Sequence, residues 1–361
     1  MIRAVLCLFL AALLARAQWP VEAAMAKYKV PAVSVAVMEG GKIVKAQAWG
    51  VLEAGGSAKA NTETLFQAAS ISKPVAAMAA LHMSQYGNFT LDENVNGKLK
   101  SWKVPDNPFT ASEKVTLRRL LSHTAGLTVH SFRGYGEGEP APIVLQILDG
   151  APPANSKPIR VDLQPGNQFR YSGGGYTVAQ LLMTERFGKP FPELMSLIVL
   201  RPLGMRHSTY EQPLPADRAA NAARGHRADG TMVKGRWHTY PEMAAAGLWS
   251  TPSDLALFAI EVWKASRGES NRVLEKSTAV AMLTPVKEVY GLGFGVEGNG
   301  ASARFAHNGS NEGFRCSLVM YRQSGNGAVI MTNGDQGAAL AKKLLRAIAE
   351  TYRWPKGIPA R

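Results

Sequence analysis

Ser70 and Lys73 stand three positions apart in Phe66-Gln67-Ala68-Ala69-Ser70-Ile71-Ser72-Lys73-Pro74, an apolar approach that opens into a helical pattern. That spacing is close to one helical turn, so the lysine shares a face with the serine and its amine can reach the hydroxyl. A lysine withdrawn from water gives up its proton readily and can then act as base toward a serine nucleophile. A serine at a helix start also gains from the positive dipole end, and its N–H can point at a developing oxyanion. Ser-x-x-Lys alone is a weak pattern, because two common residues meet at that spacing by chance about once in a chain of this length.

Two downstream patterns add to it. Phe169-Arg170-Tyr171-Ser172-Gly173-Gly174-Gly175-Tyr176 sets a tyrosine in a glycine-rich turn just before a helix expected from Thr177. The glycines let the backbone fold closely around a site. A cation at Lys73 would lower the pKa of a nearby Tyr171 phenol, which makes that phenol a candidate base for Ser70 and later for water. Phe305-Ala306-His307-Asn308-Gly309-Ser310 falls on an expected strand after the Gly298-Asn299-Gly300 turn. There the Ser310 N–H, carried past Gly309, would complete a two-donor oxyanion hole with that of Ser70, and His307 would supply a polar or cationic wall. Each pattern also has a plain structural reading, a tyrosine packed over a turn and a histidine on a strand.

In this order the three elements resemble the serine β-lactamase and penicillin-binding-protein superfamily, in particular the branch with class C enzymes, D-aminopeptidases and related esterases. Supporting stretches are LRRLLSHTAGL at 117–127, RPLGM at 201–205, GLWSTPSDLALF at 247–258 and HNGSNEGF at 307–314. The resemblance implies a covalent route in which Ser70 attacks an activated carbonyl and water releases the acyl group, with Lys73 and Tyr171 moving the protons. The implied substrates are β-lactams, peptides with D-residues or small esters, cell-wall peptide among them. A binding module that kept the pocket without turnover is the competing class. Two departures bear on substrate. Gly173 stands where the family's second motif usually ends in Asn, and His307 stands where most β-lactamases have Lys.

The elements that must position these residues are legible around them. Ala32 to Met38 and Lys42 to Trp49 read as a hairpin across Glu39-Gly40-Gly41, and Arg315 to Arg322 with Ala328 to Thr332 as a second one. A helix is expected from about Gly337 to Tyr352, and others at Ser70 to Tyr86, Leu117 to Ser122, Thr177 to Arg186 and Pro252 to Ala265. For the last, Thr251 reads as N-cap, Pro252 as the first helical residue and Asp254 as the capping-box partner. The fold that the resemblance implies, in agreement with these blocks, is α/β (α+β), an antiparallel sheet built from both chain ends (about 18–80 and 270–361) and flanked by helices, with a mostly helical insert at about 81–269. Thr128 to Pro165, rich in Gly and Pro, reads as a long surface excursion.

What remains narrows the class. A chain of 361 residues, 46% hydrophobic and 19% charged, is an ordinary globular composition. Its net charge of +14 is spread along the chain, which argues against a nucleic-acid groove. Residues 1–17 read as a secretory signal peptide, with Arg3, an apolar run and Ala15-Arg16-Ala17, so the chain is expected to be exported, periplasmic or secreted, with no membrane span after cleavage. Cys316 is then the one cysteine left, expected to be buried on a strand. His123 sits where a helix ends and is given a structural role. The chain has no HExxH and no paired cysteines, so no metal and no cofactor are expected, and it has no G-x-S-x-G elbow.

Overall fold

Residues 19–355 are described in the computed structural model. The signal-peptide expectation for residues 1–17 lies outside them. The strands are β1 (Ala32–Glu39), β2 (Lys42–Gly50), β3 (Phe66–Gln67), β4 (Trp249–Ser250), β5 (Gly295–Glu297), β6 (Arg304–Asn311), β7 (Phe314–Tyr321) and β8 (Gly327–Thr332). Six of them form an antiparallel sheet in the order β2-β1-β8-β7-β6-β5, and β3 pairs with β4 separately. The central pairing is β1 with β8, Val35 opposite Ile330, so the two ends of the chain meet in one sheet as expected.

The period of two decides what each face does. Val33, Val35 and Val37 of β1, Ala328 and Ile330 of β8, and Val319 and Tyr321 of β7 pack on one face under α1 (Val21–Tyr28) and the C-terminal helix, which supplies Leu340, Leu344 and Ile348. Ala32, Ala36, Met38, Leu318, Met320, Val329 and Met331 fall on the other face, in a larger core shared with the helical part. His307, Gly309 and Asn311 alternate with exposed Asn308 and Ser310, and continue the face to which Phe305 belongs.

The helices that concern the site are α2 (Ser72–Gln85), α3 (Leu117–Leu121), α4 (Val144–Asp149), α5 (Gly173–Phe187), α6 (Met243–Ala246) and α7 (Pro252–Arg267). The C-terminal helix, α8, spans Gly337–Thr351. α2 is buried over most of its surface, which suits its run of Ala, Val and Met between the sheet and the other helices. α7 lies against β1, β2 and β8 although it falls inside the block expected to be the helical insert. Thr251 Oγ1 accepts the Asp254 N–H at 3.2 Å, so the cap stands. Asp254 does not close the box: its carboxylate accepts from the His207 N–H at 2.9 Å and the Ser208 hydroxyl at 2.8 Å. It ties a loop to the helix start instead.

Two further expectations change in detail. α5 begins at Gly173 rather than Thr177, because the Ser172 hydroxyl accepts the Gly175 N–H at 3.0 Å and so caps the helix four residues earlier. The glycines are helical, not a turn. The Thr128 to Pro165 excursion is anchored: its one apolar run is α4, with Ile147 and Leu148 buried, and Thr128 and Arg160 exchange backbone and side-chain hydrogen bonds.

Candidate active site

The turn from β3 into α2 carries Ser70. Ala69 is held at φ +50°, a left-handed conformation that costs an alanine strain, and Ala69–Ile71 form a 3-10 turn before α2. Its first hydrogen bond runs from Ile71 N–H to the Ala68 carbonyl at 3.0 Å, so the Ser70 N–H precedes the ladder and has no helical acceptor. The turn is fastened from behind: Cys316 Sγ lies 3.1 Å from the Gln67 carbonyl, and Ser72 Oγ accepts the Leu248 N–H at 3.0 Å. Cys316 is buried on β7, and burial pushes its thiol up to about 12, so it is inert.

Lys73 Nζ lies 3.0 Å from Ser70 Oγ and 2.9 Å from the carbonyl oxygen of Ala245, on α6. The side chain is 2% exposed and meets no carboxylate among the described residues, and desolvation brings its pKa from 10.5 down to about 7. The neutral amine is therefore accessible near neutral pH.

Tyr171 is brought to the same point. Its hydroxyl faces that of Ser70, and Lys73 Nζ lies 4.9 Å from its ring centroid. The expectation that Lys73 lowers the Tyr171 pKa is corrected: burial of the phenol outweighs the influence of the Ser70 hydroxyl and holds it well above 10. At neutral pH Tyr171 is a hydrogen-bond donor, and Lys73 is the group with a base's proton affinity.

β6 runs alongside. A Cβ on Gly309 would stand 2.3 Å from the Ala68 carbonyl oxygen and 3.2 Å from Ala69 Cβ, so only glycine lets the strand approach the nucleophile turn this closely. β5 pairs with Arg304–Ala306 alone, so the following stretch of β6, through Ser310, has no strand partner on that edge among the described residues. Asn311 donates to Gln67 Oε1 at 2.8 Å and to the Ala246 carbonyl at 3.1 Å, which links β6, β3 and α6 behind Ser70 and Lys73.

His307 is 8% exposed, and burial together with the charge of Lys73 pushes its pKa down to about 3. The cationic wall is thereby excluded; the ring is a neutral polar wall. Nδ1 lies 2.7 Å from the Asn308 carbonyl, which requires the proton there, so Nε2 accepts from the Tyr290 hydroxyl at 3.0 Å. Nothing in its sequence context marks Tyr290, which reaches the site from a loop before β5.

His123 does not stay outside the site. Its φ is +59°, its Nδ1 accepts the Ser172 N–H at 3.0 Å, and its ring lies 4.2 Å from that of Tyr171 and 4.9 Å from that of Tyr290. The ring is buried and its pKa is depressed well below 6.5 by desolvation and by Lys73, so it acts as a neutral support for the Tyr171 segment. No cluster of ligating side chains fit to hold a metal occurs among the described residues.

A family model described as Beta-lactamase matches residues 20–353. Penicillin-binding protein 4 of Amycolatopsis lactamdurans is 23% identical over 341 residues, covering 91% of this chain and 87% of that protein. Protein flp of Staphylococcus aureus is 23% identical over 252 residues, and the match takes in 67% of this chain but only 45% of flp. Among solved structures, the D-amino acid amidase of Ochrobactrum anthropi SV3 superposes with a TM-score of 0.73 at 21% identity, over 92% of this chain and 98% of the amidase, a likeness of fold.

Proposed function

Because the chain belongs to the Beta-lactamase family, whose members are mostly serine hydrolases, we propose that it is itself an acyl hydrolase that works through an acyl-enzyme on Ser70. The observation that carries this reading is the neutralised amine of Lys73 at 3.0 Å from Ser70 Oγ. Lys73 takes the serine proton as the Oγ–carbon bond forms, and the oxyanion is received by the N–H groups of Ser70 and Ser310. As the bond to the leaving group breaks, Tyr171 donates to that group and regains its proton from Lys73. Water then attacks the ester, its proton passes to Lys73, and Ser70 leaves protonated. His307 and Gly309 shape the wall on the β6 side.

The substrate class is a β-lactam, a D-amino-acid peptide or amide, or a small ester. The family match and the likeness to an amidase support an acyl donor of this kind, and the neutral state of His307 removes a fixed cation that would favour a substrate carboxylate. Export, read from residues 1–17, belongs to the same proposal and would place cell-wall peptide within reach. The test is to incubate the purified protein with a fluorescent penicillin and a chromogenic short-chain ester, beside Ser70→Ala, and to follow intact mass and rate. Acyl mass and turnover in the wild type alone are expected; identical behaviour of the two proteins with every donor would overturn the assignment.

A further inference from the structure

The wall beside Tyr171 is built differently from what an amide-bearing acyl group would need. Ser172 is extended, at φ −140° and ψ 115°, so the side chains of positions 171 and 173 leave the chain on the same side, and Ser172 turns away to donate to the Thr128 carbonyl at 2.8 Å. Position 173 therefore faces the side on which Tyr171 meets Ser70. It is a glycine, and the space is already filled: a Cβ there would stand 3.0 Å from Cε2 and 3.3 Å from Cδ2 of Phe132.

The backbone that leads to Phe132 is held against α5. Gly173 donates to the His130 carbonyl at 2.9 Å and Gly174 to the Val129 carbonyl at 3.0 Å, which sews the 128–132 segment onto the start of α5. Val129 pays for the stitch with φ +63°, a conformation strained for a β-branched residue. The His130 carbonyl is consumed by this bond, and the His130 ring lies 4.9 Å from that of Tyr171. Phe132 itself is half-buried, packed on the core with one side left open.

We infer that Phe132, seated in the space left by Gly173, makes this wall an apolar acyl-group subsite that selects acyl groups with an aromatic or alkyl face and disfavours those that carry an amide there. The inference rests on the Ser70 reading and names its substrate class more narrowly. An acyl amide laid against the Phe132 ring loses water to an apolar surface, whereas an aryl or alkyl chain gains the contact.

The experiment compares two p-nitrophenyl esters of equal length, the 4-phenylbutanoate and the hippurate, in which an amide replaces two methylenes. Rates are taken as kcat/KM, each divided by the ester's own rate of alkaline hydrolysis, with acylation of Ser70 checked by intact mass. The wild type is expected to prefer the phenylbutanoate at least tenfold. Phe132→Leu, which keeps apolar bulk, is expected to retain most of that preference, and Phe132→Ala with Gly173→Asn to erase it. A wild-type ratio near one, or a ratio that the double variant leaves unchanged, overturns the inference while acyl mass on Ser70 keeps the hydrolase reading intact. If neither ester adds mass to the wild type, the Ser70 reading fails and takes the inference with it.

Discussion

The Tyr290 hydroxyl lies 3.0 Å from Nε2 of His307, an imidazole that burial and the charge of Lys73 hold neutral. Tyr290→Phe removes the donor and leaves a buried acceptor unpaired, at a cost of ~1–3 kcal/mol. The melting temperature is expected to fall by a few degrees. Scanning calorimetry checks it, and an unchanged melting point would mean that the bond contributes nothing to the folded state.

The pH profile of kcat/KM should follow Lys73. Its depressed pKa means that the amine is charged below about 7 and neutral above. Acylation is expected to fall roughly tenfold per unit below that point and to level off above it, since only the neutral amine takes the Ser70 proton. Lys73→Ala should lose ~10³-fold in acylation, as removal of a general base does. A rate that Lys73→Ala leaves untouched would remove the lysine from the mechanism.

Tyr171 titrates far outside this range, because burial holds its phenol above 10. No second limb from Tyr171 is therefore expected below pH 10. Tyr171→Phe should slow acylation, the step in which the phenol donates to the leaving group, more than hydrolysis of the ester, so that little acyl-enzyme is caught by quench and intact mass. Accumulation of acyl-enzyme in the variant would move the tyrosine to the hydrolytic step.

Why some of this was legible and some not follows from distance along the chain. The Ser70–Lys73 relationship is made within one helical turn, and the hairpins within a few residues, so spacing alone places them. The two hairpins placed sheet segments at both chain ends, and their joining into one sheet came from the family resemblance. The protonation states did not follow. A cation near Tyr171 was counted, but the loss of water around the phenol, which depends on everything packed over it, acts in the opposite direction and is larger. His123 was assigned by its helix end, a local cue, whereas its ring meets Tyr171 and Tyr290 through chain segments about 50 and 170 residues away. Phe132 and Tyr290 have no motif, and they act by filling space next to residues that do.

Gly309 offers a steric test of how β6 is set against the nucleophile. A methyl group there would meet the Ala68 carbonyl oxygen at 2.3 Å, and backbone on both sides has little room to yield. Gly309→Ala is expected to push Ser70 and Ser310 apart by a fraction of an ångström to an ångström, which costs ~100-fold in rate. The acylation rate of a folded Gly309→Ala protein is the measurement; a rate within twofold of wild type would show that the gap between β6 and the turn is not part of the site's geometry.

Glu242, just before α6, is fully buried, and neither carboxylate oxygen has a hydrogen-bond partner among the described residues. Tyr135 faces it too loosely for a bond, and desolvation pushes the acid from 4.5 up to about 8. Between those values the unfolded chain has lost a proton that the folded chain keeps, so this group makes stability fall as pH rises from about 4.5 to 8, and the fall stops above 8. Glu242→Gln has nothing to titrate. Its melting temperature relative to wild type is expected to climb by several degrees between pH 5 and pH 8, whatever the offset at pH 5 from seating an amide there. Paired melting curves at the two pH values decide the matter, and an offset that stays constant would mean that Glu242 is already ionised in the folded protein. Because α6 also presents the Ala245 carbonyl to Lys73, the same variant assayed at pH 8 reports whether relief of the buried acid leaves the amine in place against Ser70.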